Sequence, residues 1–316
     1  MPDENPTTAA PRGLDAILSA RVLLVTGKGG TGKTTVAAAL ASLVSRAGKR
    51  VLVAELGQQP ARHSPLLEAL GAQRRASTLE PQHVLGNVWS VLLTPEAGHR
   101  AFLHDVLPFG FLVDRALRAE PLRRFLAAAP AFSELGVLFR GLQFVKAERR
   151  RGVPEWDVVI IDAPASGHAL AFATLPQILL KVIPGGPIGR TAREGISILT
   201  DPKRTLAIIA TLPETLPVSE ALELAEGLAR SNLRVHGIVA NQVPLDPFST
   251  AEHEALAALL GKMNVLGSRT LSRLSRSKAA LLRLEQAALR ILIVHEQLEN
   301  GEPLIAAVAN DLAGAA

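Results

Sequence analysis

The stretch Gly27-Lys28-Gly29-Gly30-Thr31-Gly32-Lys33-Thr34-Thr35 follows the apolar run Val22-Leu23-Leu24-Val25 and leads into Val36-Ala37-Ala38-Ala39-Leu40-Ala41. Strand, glycine-rich loop and helix in that order commit this end of the chain to an α/β arrangement. The loop satisfies G-x-x-x-x-G-K-[ST] in the context that gives the pattern its meaning. Its glycines let successive backbone N–H groups turn inward around a phosphate, and the helix start adds the positive end of its dipole. The loop therefore reads as the cradle of a nucleoside triphosphate. Gly27, Gly29, Gly30, Thr31 and Gly32 would line the phosphates, and Lys33 would reach the β- and γ-phosphates. Thr34 would place its hydroxyl on magnesium, and Thr35 would donate to an α-phosphate oxygen.

Lys28, directly after the first glycine, is a cation that an ordinary phosphate loop does not need. The string GKGGxGKTT resembles the deviant Walker A class, which includes the ParA and MinD ATPases, nitrogenase iron protein and the arsenite-pump ATPases. In that class the lysine reaches across a dimer interface to the nucleotide of the opposite subunit. The resemblance implies that Lys28 acts only in a dimer.

Composition bounds the rest. Of 316 residues, 48% are hydrophobic and 20% charged, enough for one large α/β domain or a domain with an insertion. Lys plus Arg number 34 against 29 for Asp plus Glu, a surplus of 5. The arginine clusters at 74–75, 123–124 and 149–151 read as solvated helix faces, and with aromatics at 3% and no tyrosine a base-stacking platform for nucleic acid is not expected. Cysteine is absent, which excludes disulfides and thiolate metal sites and is compatible with a reducing cytoplasm. No apolar run approaches the ~18–20 residues of a membrane span. The expectation is a cytoplasmic protein with a disordered, proline-rich tail over residues 1–13 and an ATPase domain over 14–316.

Beyond the loop, Val51-Leu52-Val53-Ala54-Glu55 reads as a second buried strand ending at the nucleotide, since ligands in open α/β sheets sit at strand C-termini. Residues 87–94 read as a third strand. From Pro95 to about Gly152 a helical pattern sets in, punctuated by Pro108, Pro121 and Pro130, and reads as an inserted helical subdomain. Its Phe and Leu stripes are core at helical spacing or the lining of a groove for a hydrophobic client helix. Asp157-Val158-Val159-Ile160-Ile161-Asp162 is a buried strand ending in an aspartate, the Walker B arrangement, in which Asp162 would hold magnesium through its water shell.

The strand continues as Ala163-Pro164-Ala165-Ser166-Gly167-His168. This seven-residue run from Asp162 to His168 resembles the second switch of the arsenite-pump and guided-entry (tail-anchored-protein-targeting) ATPases, D-T-A-P-T-G-H, with the proline shifted by one. The segments Leu175-Pro176-Gln177, Thr211-Leu212-Pro213-Glu214 and Asn241-Gln242 extend the resemblance over most of the chain from about Arg21.

The resemblance implies a P-loop NTPase fold, with a mostly parallel central sheet, helices on both faces and the helical insertion. It implies ATP with magnesium as ligands, Gly167 offering its N–H near the γ-phosphate, and Asn241 hydrogen-bonding adenine. It also exposes a departure: where relatives carry the aspartate that positions the attacking water, this chain has Gly57, leaving Glu55 as the carboxylate able to take over. Catalysis would then rest on Lys28, Lys33 and Glu55.

Partners read as a homodimer or a heterodimer with a related ATPase, closing with nucleotide to control a hydrophobic or membrane-associated client. Without cysteine neither a thiolate arsenite site nor a zinc-joined dimer of the C-x-x-C kind can be built. Two other readings stand beside this one. A non-catalytic nucleotide-gated scaffold is motivated by Gly57. A ParA- or MinD-like partitioning ATPase would act on DNA or membrane through the basic amphipathic helix at 268–289.

Overall fold

In the computed structural model the described residues are 13–57, 64–72, 75–106, 130–163, 166–260 and 266–315. In chain order they form α1 (Leu14–Ser19), β1 (Val22–Gly27), α2 (Lys33–Arg46), β2 (Val51–Leu56), α3 (Pro65–Ala69), β3 (Gln82–Leu85), β4 (Val88–Leu93), α4 (Pro95–Val106), α5 (Pro130–Lys146), β5 (Glu148–Arg150) and β6 (Val153–Pro154). There follow β7 (Val158–Asp162), α6 (Ser166–Val182), α7 (Gly186–Leu199), β8 (Thr205–Thr211), α8 (Thr215–Arg230), β9 (Val235–Val243), α9 (Thr250–Leu260), α10 (Leu266–Glu285), β10 (Ile291–His295) and α11 (Glu302–Ala315).

Eight strands make one sheet in the order β10-β9-β8-β1-β7-β2-β4-β3. All neighbours are parallel except β3 against β4. Parallel neighbours require crossovers, and the crossovers cover both faces, so the central strands are apolar throughout rather than alternating. Alternation survives as a choice of face. Val22 and Leu24 point into one core with α5 to α8 and α10, while Leu23 and Val25 point into the other with α1, α2, α3 and α11.

The expected α/β fold with helices on both faces is what forms. The helical reading of 95–152 is corrected at its end, where residues 148–150 and 153–154 pair as the β5–β6 hairpin. Where α4 crosses α5, a Cβ on Gly98 would lie 2.2 Å from the backbone of Gly136, so glycine on both helices sets their approach. Leu135, Leu138 and Leu142 of α5 join the core of the main sheet, so this helix packs as a layer of the domain. The readings for Phe109, Phe111, Leu112, Leu122, Phe125 and Leu126, and for the tail at 1–12, fall outside the described residues. Edge strand β3 and helix α1 were not signalled by period or cap: β3 is only partly buried, and Gly13 ahead of α1 offers no side-chain cap.

At the amino ends of the strands, Arg50 holds β2 to β7. Its guanidinium donates to Glu155 Oε1 at 2.7 Å and to the Glu155 carbonyl at 3.0 Å, and lies 4.2 Å over Trp89 and 5.3 Å from the Trp156 ring. Among described helices none is long and apolar enough to cross a membrane.

His236, in β9, is buried with Nε2 lacking a hydrogen-bond partner. Burial, with Arg290 and Arg234 nearby, pushes its imidazole down to about 4 from 6.5. Between those values the unfolded chain takes up a proton that the folded one refuses, so this residue makes stability fall as pH drops from about 6.5 to about 4. His236→Gln is expected to flatten that part of the profile, measured as the urea midpoint against pH for both proteins.

Candidate functional site

The phosphate loop is built by close approach. Gly27 ends β1 at φ 146°, and a Cβ there would lie 2.1 Å from the carbonyl oxygen of Ala210 in β8. Gly32, at φ 83°, would place a Cβ 2.2 Å from the Nδ2 of Asn241. Both backbone angle and space demand glycine at these two positions. Within the loop, the carbonyl of Lys28 accepts from Thr31 Oγ1 at 2.9 Å and from Lys33 Nζ at 2.8 Å. Burial lowers the Lys33 ammonium below its ordinary value, with Asp162 partly offsetting this.

Asn241 is buried inside β9, which runs on to Val243. Its Nδ2 donates to the carbonyl of Thr31 at 3.0 Å, tying the end of β9 to the loop. The next residue, Gln242, has φ 57°, an unusual conformation for a non-glycine residue, close to the register shift between β9 and β10.

Across the sheet, Val25, Asp162 and Glu55 lie at one level, because Asp162 pairs in register with both neighbours. Thr34, in the first turn of α2, donates to Asp162 Oδ2 at 2.8 Å. The other oxygen, Oδ1, is buried without a partner. Burial raises the Asp162 carboxyl to about 6; the Thr34 hydrogen bond lowers it, Glu55 raises it, and Lys33 lowers it. A hydroxyl and a carboxylate with one free oxygen suit a hard cation that keeps its waters and takes the rest of its shell from phosphate. Among the described residues no group of three His, Cys, Asp or Glu gathers to hold a metal by protein ligands alone. The residues present therefore fit magnesium carried in with a nucleotide.

Glu55, the last-but-one residue of β2, receives a 2.5 Å hydrogen bond from Ser64 Oγ. Ser64 is itself the N-cap of α3, accepting from Leu67 N at 3.1 Å. Ser64 escaped the sequence reading, although a serine immediately before Pro65 is a helix-start signal. Gly57 continues the edge of β2, its N–H donating to the Leu93 carbonyl at 3.0 Å. The Gly57 position thus lies beside β4, two residues past the level of Asp162.

Gly29 and Gly30 are exposed at the loop tip, and Thr35 is half-buried in α2. Ser166 and Gly167 begin α6, so the Gly167 N–H belongs to the first turn, where amides lack intrahelical acceptors. Pro164 and Ala165 lie outside the described residues, as does the side chain of His168. Lys28, exposed on the loop, pairs with Glu220 of α8 in its own chain.

The profile of the CobQ/CobB/MinD/ParA nucleotide binding domain matches residues 22–286. The chain belongs to that family. It is 30% identical over 225 residues to the ATPase BagA of Mycobacterium tuberculosis, covering 70% of this chain and 65% of that protein. Identity to the arsenical pump-driving ATPase of Acidiphilium multivorum is 27% over 260 residues, covering 75% of this chain and 42% of the relative. The ATPase ASNA1 homolog of Entamoeba dispar is 25% identical over 299 residues, covering 82% and 89% respectively. The chain thus spans about 65% of the mycobacterial relatives it matches. These relatives bear out, within the CobQ/CobB/MinD/ParA family, the arsenite-pump and tail-anchored-targeting resemblance read from the second switch.

Two outcomes follow from this geometry. A buried carboxylate that titrates near 6 rather than 3.8 is relatively stabilising at low pH, and loses that advantage as pH rises through the window between. Asp162→Asn is therefore expected to stabilise the nucleotide-free protein at pH 8 by about 1–3 kcal/mol, with the gain shrinking toward pH 4, as read by chemical denaturation. Ser64→Ala removes both a cap and a Glu55 contact, and is expected to cost about 1 kcal/mol by the same measurement.

Proposed function

We propose that this chain is a magnesium-dependent ATPase in which nucleotide drives closure with a second subunit, a copy of itself or a related ATPase, to control a hydrophobic or membrane-associated client. The observation that carries the reading is the Thr34–Asp162 pair, with Asp162 Oδ1 buried and unpartnered directly behind the phosphate loop. Relatives named as ATPases and as arsenical pump-driving ATPases support the same class of reaction.

In this reading the N–H groups of residues 27–32 hold the β- and γ-phosphates, and Lys33 exchanges the Lys28 carbonyl for phosphate oxygen. Thr35 contacts the α-phosphate, Gly167 offers its N–H to the γ-phosphate, and Asn241 borders the adenine while holding the loop. Thr34 and Asp162 would hold magnesium, which would supply charge neutralisation at the transferred group. Lys28 from the partner subunit adds the second cation. Donors fixed before reaction stabilise charge that develops on the γ-phosphoryl oxygens as water attacks in line. Glu55, the register partner of Asp162 on β2, is the carboxylate placed to orient that water, once Ser64 yields it.

The engagement of Glu55 by Ser64, with Gly57 at the usual aspartate position, supports a second reading: a nucleotide-gated scaffold whose chemistry comes from a partner chain. Steady-state ATP turnover at high protein concentration, with nucleotide binding measured in parallel, separates the two. The ATPase reading expects turnover abolished by Lys33→Ala and reduced at least about tenfold by Lys28→Ala. Tight magnesium-ATP binding without turnover, followed by a gain of tenfold or more in Gly57→Asp, would favour the scaffold.

A further inference from the structure

Lys28 and Glu220 are separated by 192 residues, yet the ammonium of one meets the carboxylate of the other. Glu220 lies on α8, its side chain one-quarter exposed, and its second oxygen, Oε2, is buried without a partner. A carboxylate three-quarters shielded from water and satisfied on one side only depends on that single cation. The backbone of Lys28 is held as well, since its carbonyl accepts from both Thr31 and Lys33. One of those two donors is the lysine that phosphate would attract.

We propose that Glu220 is a positioning residue that latches Lys28 within its own subunit, so that this lysine is withheld from the neighbouring subunit until nucleotide draws Lys33 off the Lys28 carbonyl. The inference rests on the dimer reading above. In the nucleotide-free protein Lys28 is held at its ammonium by Glu220 and at its carbonyl by Thr31 and Lys33. Phosphate in the loop competes for Lys33 and leaves the carbonyl to Thr31 alone. The Glu220 contact is a partly exposed ion pair, which is weak enough to exchange. The latch also reaches beyond the loop: Ser219, next to Glu220, accepts from Arg283 Nη1 of α10 at 2.7 Å. Release of Lys28 thus alters the charge balance where α8 meets the basic helix.

The test has two arms. In sedimentation velocity with magnesium and a non-hydrolysable ATP analogue, Glu220→Gln is expected to lower the protein concentration for half-association about two- to fivefold, the scale of a partly exposed ion pair. Adding Lys28→Ala to Glu220→Gln should erase the gain. An unchanged midpoint in Glu220→Gln, or a gain that survives Lys28→Ala, would overturn the proposal. The second arm needs neither turnover nor association. In nucleotide-free protein, a denaturation cycle of Lys28→Ala, Glu220→Ala and the double variant should show coupling of about two- to fivefold in the unfolding equilibrium, and additivity would sink the latch. Coupling in this arm with no association of the wild-type protein would count against the dimer reading, and with it against any role of the latch between subunits.

Discussion

A carboxylate buried at the carboxyl end of the central sheet is the constraint on which this molecule turns. Asp162 has one oxygen on Thr34 and the other on nothing, and burial lifts it well above an ordinary aspartate. A chain selected for stability alone would not leave such a group there. The apolar strands on either side supply the surplus of burial that tolerates it. Every short contact around the site, from Gly27 against Ala210 to Gly32 against Asn241, keeps the loop pressed onto the ends of β8 and β9. The site is therefore a property of the sheet as a whole, because strands far apart in sequence each contribute one wall.

Much of this was legible in the residues because the signals are local. Glycine spacing, an alanine-rich helix start and an apolar run ending in Asp162 each lie within a few positions, and parallel strands announce themselves as continuous apolar runs. The two core faces were legible in principle too, since alternation along β1 assigns Leu23 and Leu24 to opposite layers. Less legible were features made by distant partners. Nothing near Glu220 in sequence points at Lys28, and nothing near Asn241 says that its amide is occupied by the loop carbonyl. The edge strand β3 is short, partly buried and antiparallel, so it carries neither an apolar run nor a clean alternation.

The basic amphipathic segment illustrates how a correct periodicity can leave a role open. Its buried stripe, Leu274, Ser277, Ala280 and Leu284, packs onto the domain. Arg273 is spent on Glu296 at 3.0 Å and Arg283 on Ser219. Two of the arginines that suggested a charged external surface thus serve to dock the helix. Charge pattern alone does not distinguish a face offered to a partner from one turned along the protein's own flank.

The Arg50 clamp has a further consequence. It gathers both tryptophans of the chain, Trp89 and Trp156, with ring centroids 5.2 Å apart at the amino ends of the strands. The phosphate loop and the Lys28–Glu220 pair occupy the opposite rim. Intrinsic emission from this protein is thus an optical gauge of the sheet's base: it reports when β2, β4 and β7 come apart, from a point a strand's length away from the phosphate loop.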